Sequence, residues 1–301
     1  MGYSGRYHAA SLAAVFLALA IGILIGVGLG HNVISSTRKG LEQSLKGNLS
    51  DARSHADTLQ AELNRERDFS EQIFPGLVDG ILRGNRVAVV ALGTLPDGMK
   101  GPIQAVVGPD NPTGAVLGEV AIVREPPDLK ALAAAGKPPT SAKRLARNPD
   151  ALSGMYRRMG RALVTGARPF HSFRGAMLSR ISGHPGGIDA VIVVRSQPAN
   201  LNASRSAATT GVETALLQGL EQAAGPVVGV ERSDSDPSSI GFLSAAGTSA
   251  TVDSIDLVSG RTVLAYALDG ADGNYGIKAT ADRLLPALRQ PVPTAAARGH
   301  R

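Results

Sequence analysis

The uncharged residues 9–30 constrain this chain more than any other feature of its sequence. As an α-helix they would extend roughly 33 Å, which is enough to cross the hydrocarbon core of a bilayer. We therefore predict a single transmembrane helix over residues 9–30. Its orientation decides in which compartment every later residue lies.

The charges on either side of this run indicate its orientation. Arg6 and the amino terminus precede it, and Arg38 and Lys39 follow it, so the difference in charge is small. Because basic residues beside a span are retained in the cytoplasm, we expect a cytoplasmic N-terminus, residues 1–8, and an extracytoplasmic body. A cleaved signal peptide is the alternative, but its apolar core is usually only about 7 to 15 residues long. We therefore expect an uncleaved signal anchor that spans the plasma membrane once.

Small residues recur at every fourth position of the predicted span and form one of its faces. Such a face lets two helix backbones approach closely in a membrane. The predicted helix-association surface consists of Ala14, Ala18, Gly22, Gly26 and Gly30. Alanine and glycine are also common in membrane helices that do not associate, and this alternative stays open.

Residues 36–74 are strongly charged and carry apolar residues at alternating spacings of four and three. This spacing is typical of a coiled coil, and its seam includes Leu45, Leu49, Leu59 and Leu63. An amphipathic helix folded onto its own domain would show a similar stripe. Because the span would bring two such helices together, we predict a parallel homodimeric stalk that ends at Pro75-Gly76. Its imperfect seam is also suited to binding a helical envelope protein.

Beyond Asn85 short valine-rich runs alternate with helical stretches. This alternation predicts an α/β layered domain with a mostly parallel sheet over residues 86–290, followed by a disordered tail, residues 291–301. The predicted strands are residues 86–92, 115–123, 188–194 and 226–230. The predicted helices are residues 142–165, 207–224, 261–268 and a short one within 125–140, whereas residues 98–114 are predicted to form a loop.

The sequence lacks the residues of several kinds of site. The chain has no cysteine, which excludes disulfides, thiolate metal sites and cysteine nucleophiles. No G-x-S-x-G, HExxH or Walker sequence occurs, so we predict no enzyme and no catalytic or cofactor-binding residues. We interpret five aspartates as solvated loop carboxylates: Asp189, Asp234, Asp236, Asp253 and Asp256. The crevice at the carboxyl ends of the strands is the default ligand site of this fold class.

Residues 143–174 contain two groups with both a functional and a structural interpretation. The first is basic and comprises Lys143, Arg144, Arg147, Arg157, Arg158, Arg161 and Arg168. On an exported domain we expect no nucleic acid, but anionic lipid headgroups or envelope polymers, or simply a solvated helix face. The second is Met155 and Met159, whose thioethers suit Cu(I). Because they share an apolar stripe with Leu152, Tyr156 and Leu163, we favour core packing.

Three segments resemble a known family. Residues 6–22 (RYHAASLAAVFLALAIG), with the glycines and heptads after them, are similar to the N-terminus of the MctB-like copper transporter family of actinobacteria. Residues 251–256 (TVDSID) and 273–276 (GNYG) resemble the C-terminal region of that family, in order. The resemblance implies copper transport or homeostasis at the cell envelope. Copper is the only ion it implies, and it assigns no metal ligands.

Three functions of different classes therefore stay open. The resemblance favours a copper-handling envelope protein. The span and heptads favour a non-enzymatic scaffold whose coiled coil docks a cell-wall or division partner. Analogy of fold alone favours a small-ligand receptor or enzyme that uses the strand-end crevice.

Overall fold

The structure, a computed structural model, describes residues 5–136, 139–167, 173–196 and 201–287. The side chains of residues 28–40 and the predicted tail, residues 291–301, lie outside the described part. The chain forms two compact units, Met1–Arg67 and Asp68–Arg301.

A single helix, α1 (Gly5–Val78), contains both the predicted span and the predicted stalk. Its Tyr7–Val27 stretch has a mean hydropathy of 2.6 and is entirely unburied, so it is long and apolar enough to cross a membrane. The helix does not end at Pro75, where we predicted its end. Phe74 and Val78 are buried in the core of the second unit, and their packing outweighs the hydrogen bond that proline cannot donate.

Within the described residues seven strands form one sheet. They are β1 (Arg86–Gly93), β2 (Val116–Val123), β3 (Leu178–Gly183), β4 (Ala190–Ser196), β5 (Val227–Val230), β6 (Ala250–Val252) and β7 (Gly273–Tyr275). Their order is β3-β2-β1-β4-β5-β6-β7, and only β3 is antiparallel to its neighbour. The prediction of an α/β domain with a mostly parallel sheet is therefore confirmed.

Helices cover both faces of this sheet. They are α2 (Asp97–Val107), α3 (Leu129–Ala135), α4 (Ala142–Ala146), α5 (Pro149–Thr165), α6 (Arg174–Met177), α7 (Ala203–Glu221), α8 (Ile240–Ala245) and α9 (Val258–Leu268). Alternate residues of β1 enter opposite cores: Val90 packs with residues of α5 and α7, and Val89 with residues of α2 and α9. Burial on both faces explains why the central strands are nearly all apolar.

Two of the predicted elements differ from the structure. Residues 98–114 contain α2 rather than a loop, because Met99, Ile103 and Val107 lie at helical spacing and are buried. The predicted helix 142–165 is divided into α4 and α5. Asn148 caps α5 by accepting a hydrogen bond from the Ala151 N–H at 3.0 Å, and Pro149 occupies the first turn, where no N–H is needed.

The two C-terminal segments of the resemblance lie side by side as β6 and β7. The buried carboxylate of Asp253, after β6, accepts hydrogen bonds from the backbone N–H groups of Ile277 and Lys278, both at 2.8 Å. Gly276 has φ +141° and lies against this carboxylate, so a Cβ there would overlap it. The interpretation of Asp253 as a solvated loop carboxylate was wrong, because it joins two strands. Asp189, Asp234 and Asp236 are exposed, as predicted.

Replacing Gly276 should test this junction. Gly276→Ala is expected to destabilise the fold by more than Gly270→Ala, because both positions have positive φ but a Cβ at Gly270 meets no atom within 4 Å. The strain at Gly270 alone should cost roughly 1 to 3 kcal/mol. The measurement is thermal unfolding of the detergent-solubilised chain. Equal losses in the two variants would contradict the overlap with Asp253.

Candidate functional site

A large cavity lies beside the carboxyl end of β2. From β1 the sheet continues to β2 on one side and to β4 on the other, so the topological switch point lies between β1 and β4. A cavity of about 820 Å³ is lined by Arg124 and Glu125, which follow β2, together with residues of α3, α5 and α7. The predicted crevice at the strand ends corresponds instead to a smaller cavity of about 350 Å³, which is lined by Val194, Arg195 and Ser196 at the end of β4 and by Val230 of β5. Neither lining could be read from the sequence.

A charged cluster lies at this edge of the sheet. Arg195 in β4 donates two hydrogen bonds to the fully buried carboxylate of Glu213 on α7, both at 2.9 Å. The Arg195 guanidinium also lies 4.0 Å from the centroid of the Phe242 ring. Two fixed donors and an aromatic face hold the guanidinium in one orientation.

Glu125 adds a second carboxyl group to this cluster. Its burial and the negative charge of Glu213 raise its pKa to about 9, although Arg195 lowers it. At neutral pH Glu125 is therefore protonated, while Glu213 is the hydrogen-bond partner of Arg195. Tyr156 on α5 is buried nearby, its hydroxyl has no hydrogen-bond partner among the described residues, and burial raises its pKa.

These groups can bind a polar ligand and exchange a proton at Glu125. They do not form the set of nucleophile, base and orienting group that covalent catalysis requires. No sequence pattern indicates this cluster, because its members are separated by up to about ninety residues and only strand order brings them together.

A second polar network lies at the carboxyl end of β5. The buried Glu231 carboxylate accepts hydrogen bonds from the Ser238 hydroxyl at 2.8 Å, the Ser239 N–H at 2.7 Å and the Lys278 ammonium at 2.6 Å. The cavity of about 350 Å³, lined by Arg195, Glu231 and Arg232 among others, lies beside it. Because each Glu231 oxygen already has donors, this network holds the loop after β5 in place.

The described residues bring no three His, Asp or Glu side chains together in a way that could hold a metal ion. Three methionines instead line one cavity of about 280 Å³: Met155 and Met159 on α5, and Met177 at the end of α6. The core-packing interpretation is confirmed: Met159 is buried in the core, and the half-buried Met155 packs against the same core. We did not predict from the sequence that Met177 lies near Met155 and Met159.

The residues predicted to associate in α1 are exposed. Ala14, Ala18, Gly22 and Gly26 lie on the uncovered surface of the helix, and the side of Gly30 is outside the described part. The seam leucines are also exposed: Leu45 58%, Leu49 51%, Leu59 58% and Leu63 54%. The same heptad register continues to Ile73 and Leu77, which stay partly exposed at 39% and 40%. The four predicted seam leucines are therefore uncovered, and the coiled coil itself stays a prediction.

The basic stretch is divided by the fold. Arg158 and Arg161 are exposed on α5, whereas Arg157 donates a hydrogen bond to the Gln218 side chain on α7 at 3.0 Å. Arg168 lies outside the described residues. Part of the predicted basic face is thus a helix-helix contact.

The comparisons with known proteins point to one family. A family model described as "Copper transport outer membrane protein, MctB" matches residues 3–286. Proteins named "Copper transporter MctB" from Mycobacterium bovis and Mycobacterium tuberculosis are 29% identical over 120 residues, which is 40% of this chain and 38% of each relative. The match thus spans about two fifths of the length of these relatives. No solved structure matches the chain.

The raised pKa of Glu125 predicts how stability depends on pH. Its folded form holds the proton up to pH about 9, whereas an unfolded glutamate loses it near 4.5, so stability should fall as pH rises between these values. The slope for one group is up to about 1.4 kcal/mol per pH unit. Glu125→Gln, which resembles the neutral form, should flatten this fall and raise the unfolding temperature at pH 8.

Thermal unfolding from pH 5 to 8 measures the effect. Glu62→Gln, at an exposed glutamate of α1, is the matched control and should leave the slope unchanged. A Glu125→Gln variant with the wild-type slope would show that Glu125 is ionised in the folded chain.

Proposed function

The chain belongs to the MctB family, and from this membership we propose that it takes part in copper transport at the cell envelope. The observation that carries the proposal is the family match over residues 3–286, which includes α1 and the whole described sheet. The mycobacterial relatives are named copper transporters, which supports the same ion. We propose no catalytic role, since the charged cluster offers binding groups without an activated nucleophile.

We further propose that Tyr7–Val27 spans the plasma membrane once and that the α/β domain lies outside it. An unburied stretch with a mean hydropathy of 2.6 is costly to leave in water, which supports insertion. The description of the family names an outer membrane. We propose the plasma membrane because an uncleaved anchor stays in the membrane into which it first inserts. Arg6, which precedes the span, supports a cytoplasmic N-terminus.

The proposed assembly is a parallel homodimer joined along α1. The small-residue face of the span and the exposed leucines of the stalk are separate surfaces that the same pairing would cover. Within the second unit, Ile73 and Leu77 of α1 are also partly exposed, at 39% and 40%.

A cysteine-free chain allows this assembly to be tested with single cysteines. Leu59→Cys lies on the seam, and Ala61→Cys lies on the opposite side of the same helix turn. A thiol reagent that cannot cross membranes is expected to label both variants in intact cells, because the stalk is extracytoplasmic. Oxidation should join two copies efficiently only through Leu59→Cys.

Two results would contradict the proposed topology and dimer. Labelling only after cell lysis would place the stalk in the cytoplasm. Equal crosslinking of the two variants, or none, would remove the seam as the contact between two copies.

The copper role predicts a growth phenotype. Cells without the protein should be severalfold more sensitive to copper, and the full chain should restore their tolerance. A variant without residues 9–30 should not restore it, because the domain would remain in the cytoplasm. The measurement is growth over a copper series with a zinc series as control; unchanged copper tolerance would overturn the proposal.

The exposed leucines also favour a second candidate, a non-enzymatic scaffold whose stalk docks a helical cell-wall or division protein. This candidate predicts that Leu59→Cys captures a foreign helix instead of a second copy. It also predicts normal copper tolerance in the deletion strain. The two experiments above therefore separate the two functions.

A further inference from the structure

Three of the five methionines of this chain line one cavity. Met155 and Met159 are four residues apart on α5, so their side chains lie on one face of that helix. Met177 ends α6 and is held by the sheet, because its carbonyl accepts a hydrogen bond from the Arg124 N–H at 2.8 Å and Leu178 after it pairs with Val123. The three thioethers thus reach the same space from two separate elements.

The space beside these methionines opens to the surface. A cavity of about 280 Å³ lies beside Met155, Met159 and Met177, and the exposed Arg158 and Arg161 also line it. Met159 and Met177 are buried and Met155 is half-buried, so the lining runs from the core towards the surface at Met155. An ion could enter at Met155.

We propose that this cavity binds Cu(I) through the thioether sulfurs of Met155, Met159 and Met177. The proposal rests on the proposed function for its ion and names the residues that would hold it. Thioethers are soft ligands that select Cu(I) over harder ions. The chain has no cysteine to compete, and the described residues offer no His, Asp or Glu cluster as another site.

The remaining wall of the cavity favours a soft ion of low charge. Arg158 and Arg161 also line it, and their guanidinium groups repel a divalent cation twice as strongly as a monovalent one at the same distance. The ring of Phe173 offers an aromatic face that attracts a cation. Zinc, calcium and magnesium prefer N, O or thiolate ligands, and none of these is among the described lining residues.

Cu(I) binding by the purified full chain in detergent tests the site. Under anaerobic reducing conditions the chain should take one Cu(I) from the chromogenic chelator bicinchoninate, and X-ray absorption should show sulfur around the metal. The triple variant Met155→Leu, Met159→Leu, Met177→Leu should weaken binding by more than the roughly tenfold that loss of one outer-shell partner costs. Leucine preserves volume and apolarity, so the fold should persist.

Met99→Leu is the matched control, because Met99 is a buried methionine in the other core and outside the cavity. It should bind Cu(I) like the wild-type chain, and thermal unfolding should show all variants folded. Should the triple variant misfold, the single variant Met155→Leu, at the half-buried position, must still weaken binding. Wild-type affinity in a folded triple variant, or no Cu(I) uptake by the wild-type chain, would overturn the site.

This readout is independent of the growth experiment. Cu(I) binding by the purified variants tests whether the three sulfurs hold the ion. Copper tolerance of cells tests the role of the whole protein. A chain that binds Cu(I) at these methionines in cells with unchanged copper tolerance would uphold the site and overturn the proposed function.

Discussion

The rest of this structure depends on one constraint. The described part of α1 has apolar surface that no other described residue covers. Along α1 the Tyr7–Val27 stretch is wholly unburied and the heptad leucines are exposed. Exposed apolar area of this extent is unfavourable in water at about 25 cal/mol per Å². A bilayer and a second helix are the environments that match the two surfaces. The α/β domain, in contrast, covers both faces of its sheet with its own helices.

The polar interactions of the domain divide into those that build the fold and those that face open space. Asp253 binds two backbone N–H groups and leaves no room for a side chain at Gly276, so the resemblance in residues 251–256 and 273–276 reflects a structural junction. In the Glu125, Glu213 and Arg195 cluster, Glu125 lines the large cavity and is kept neutral by burial, whereas Arg195 lines the cavity of about 350 Å³. Only the polar groups that face open space are available to a ligand.

The sequence predicted the long and strongly patterned elements and missed the short ones. β1, β2, β4 and β5 were found because burial on both faces makes them apolar runs. β3 is an exposed edge strand, and β6 and β7 have three residues each, so none has a pattern of its own. The helix α2 was read as a loop because Pro102 and three glycines hid the spacing of its buried residues. Sites lined by residues of several elements could not be predicted from the sequence. Met177, which lines the same cavity as Met155 and Met159, is an example.

The composition of the span bears on how this protein can act on copper. An ion that crosses a bilayer needs a polar lining. Between Leu12 and Val27 the helix offers only alanine, glycine and larger apolar residues. Two such helices packed through Ala14, Ala18 and Gly22 would enclose no polar path. In the proposed function the work on copper therefore belongs to the exported domain, which would hold the ion, while α1 fixes that domain at the membrane.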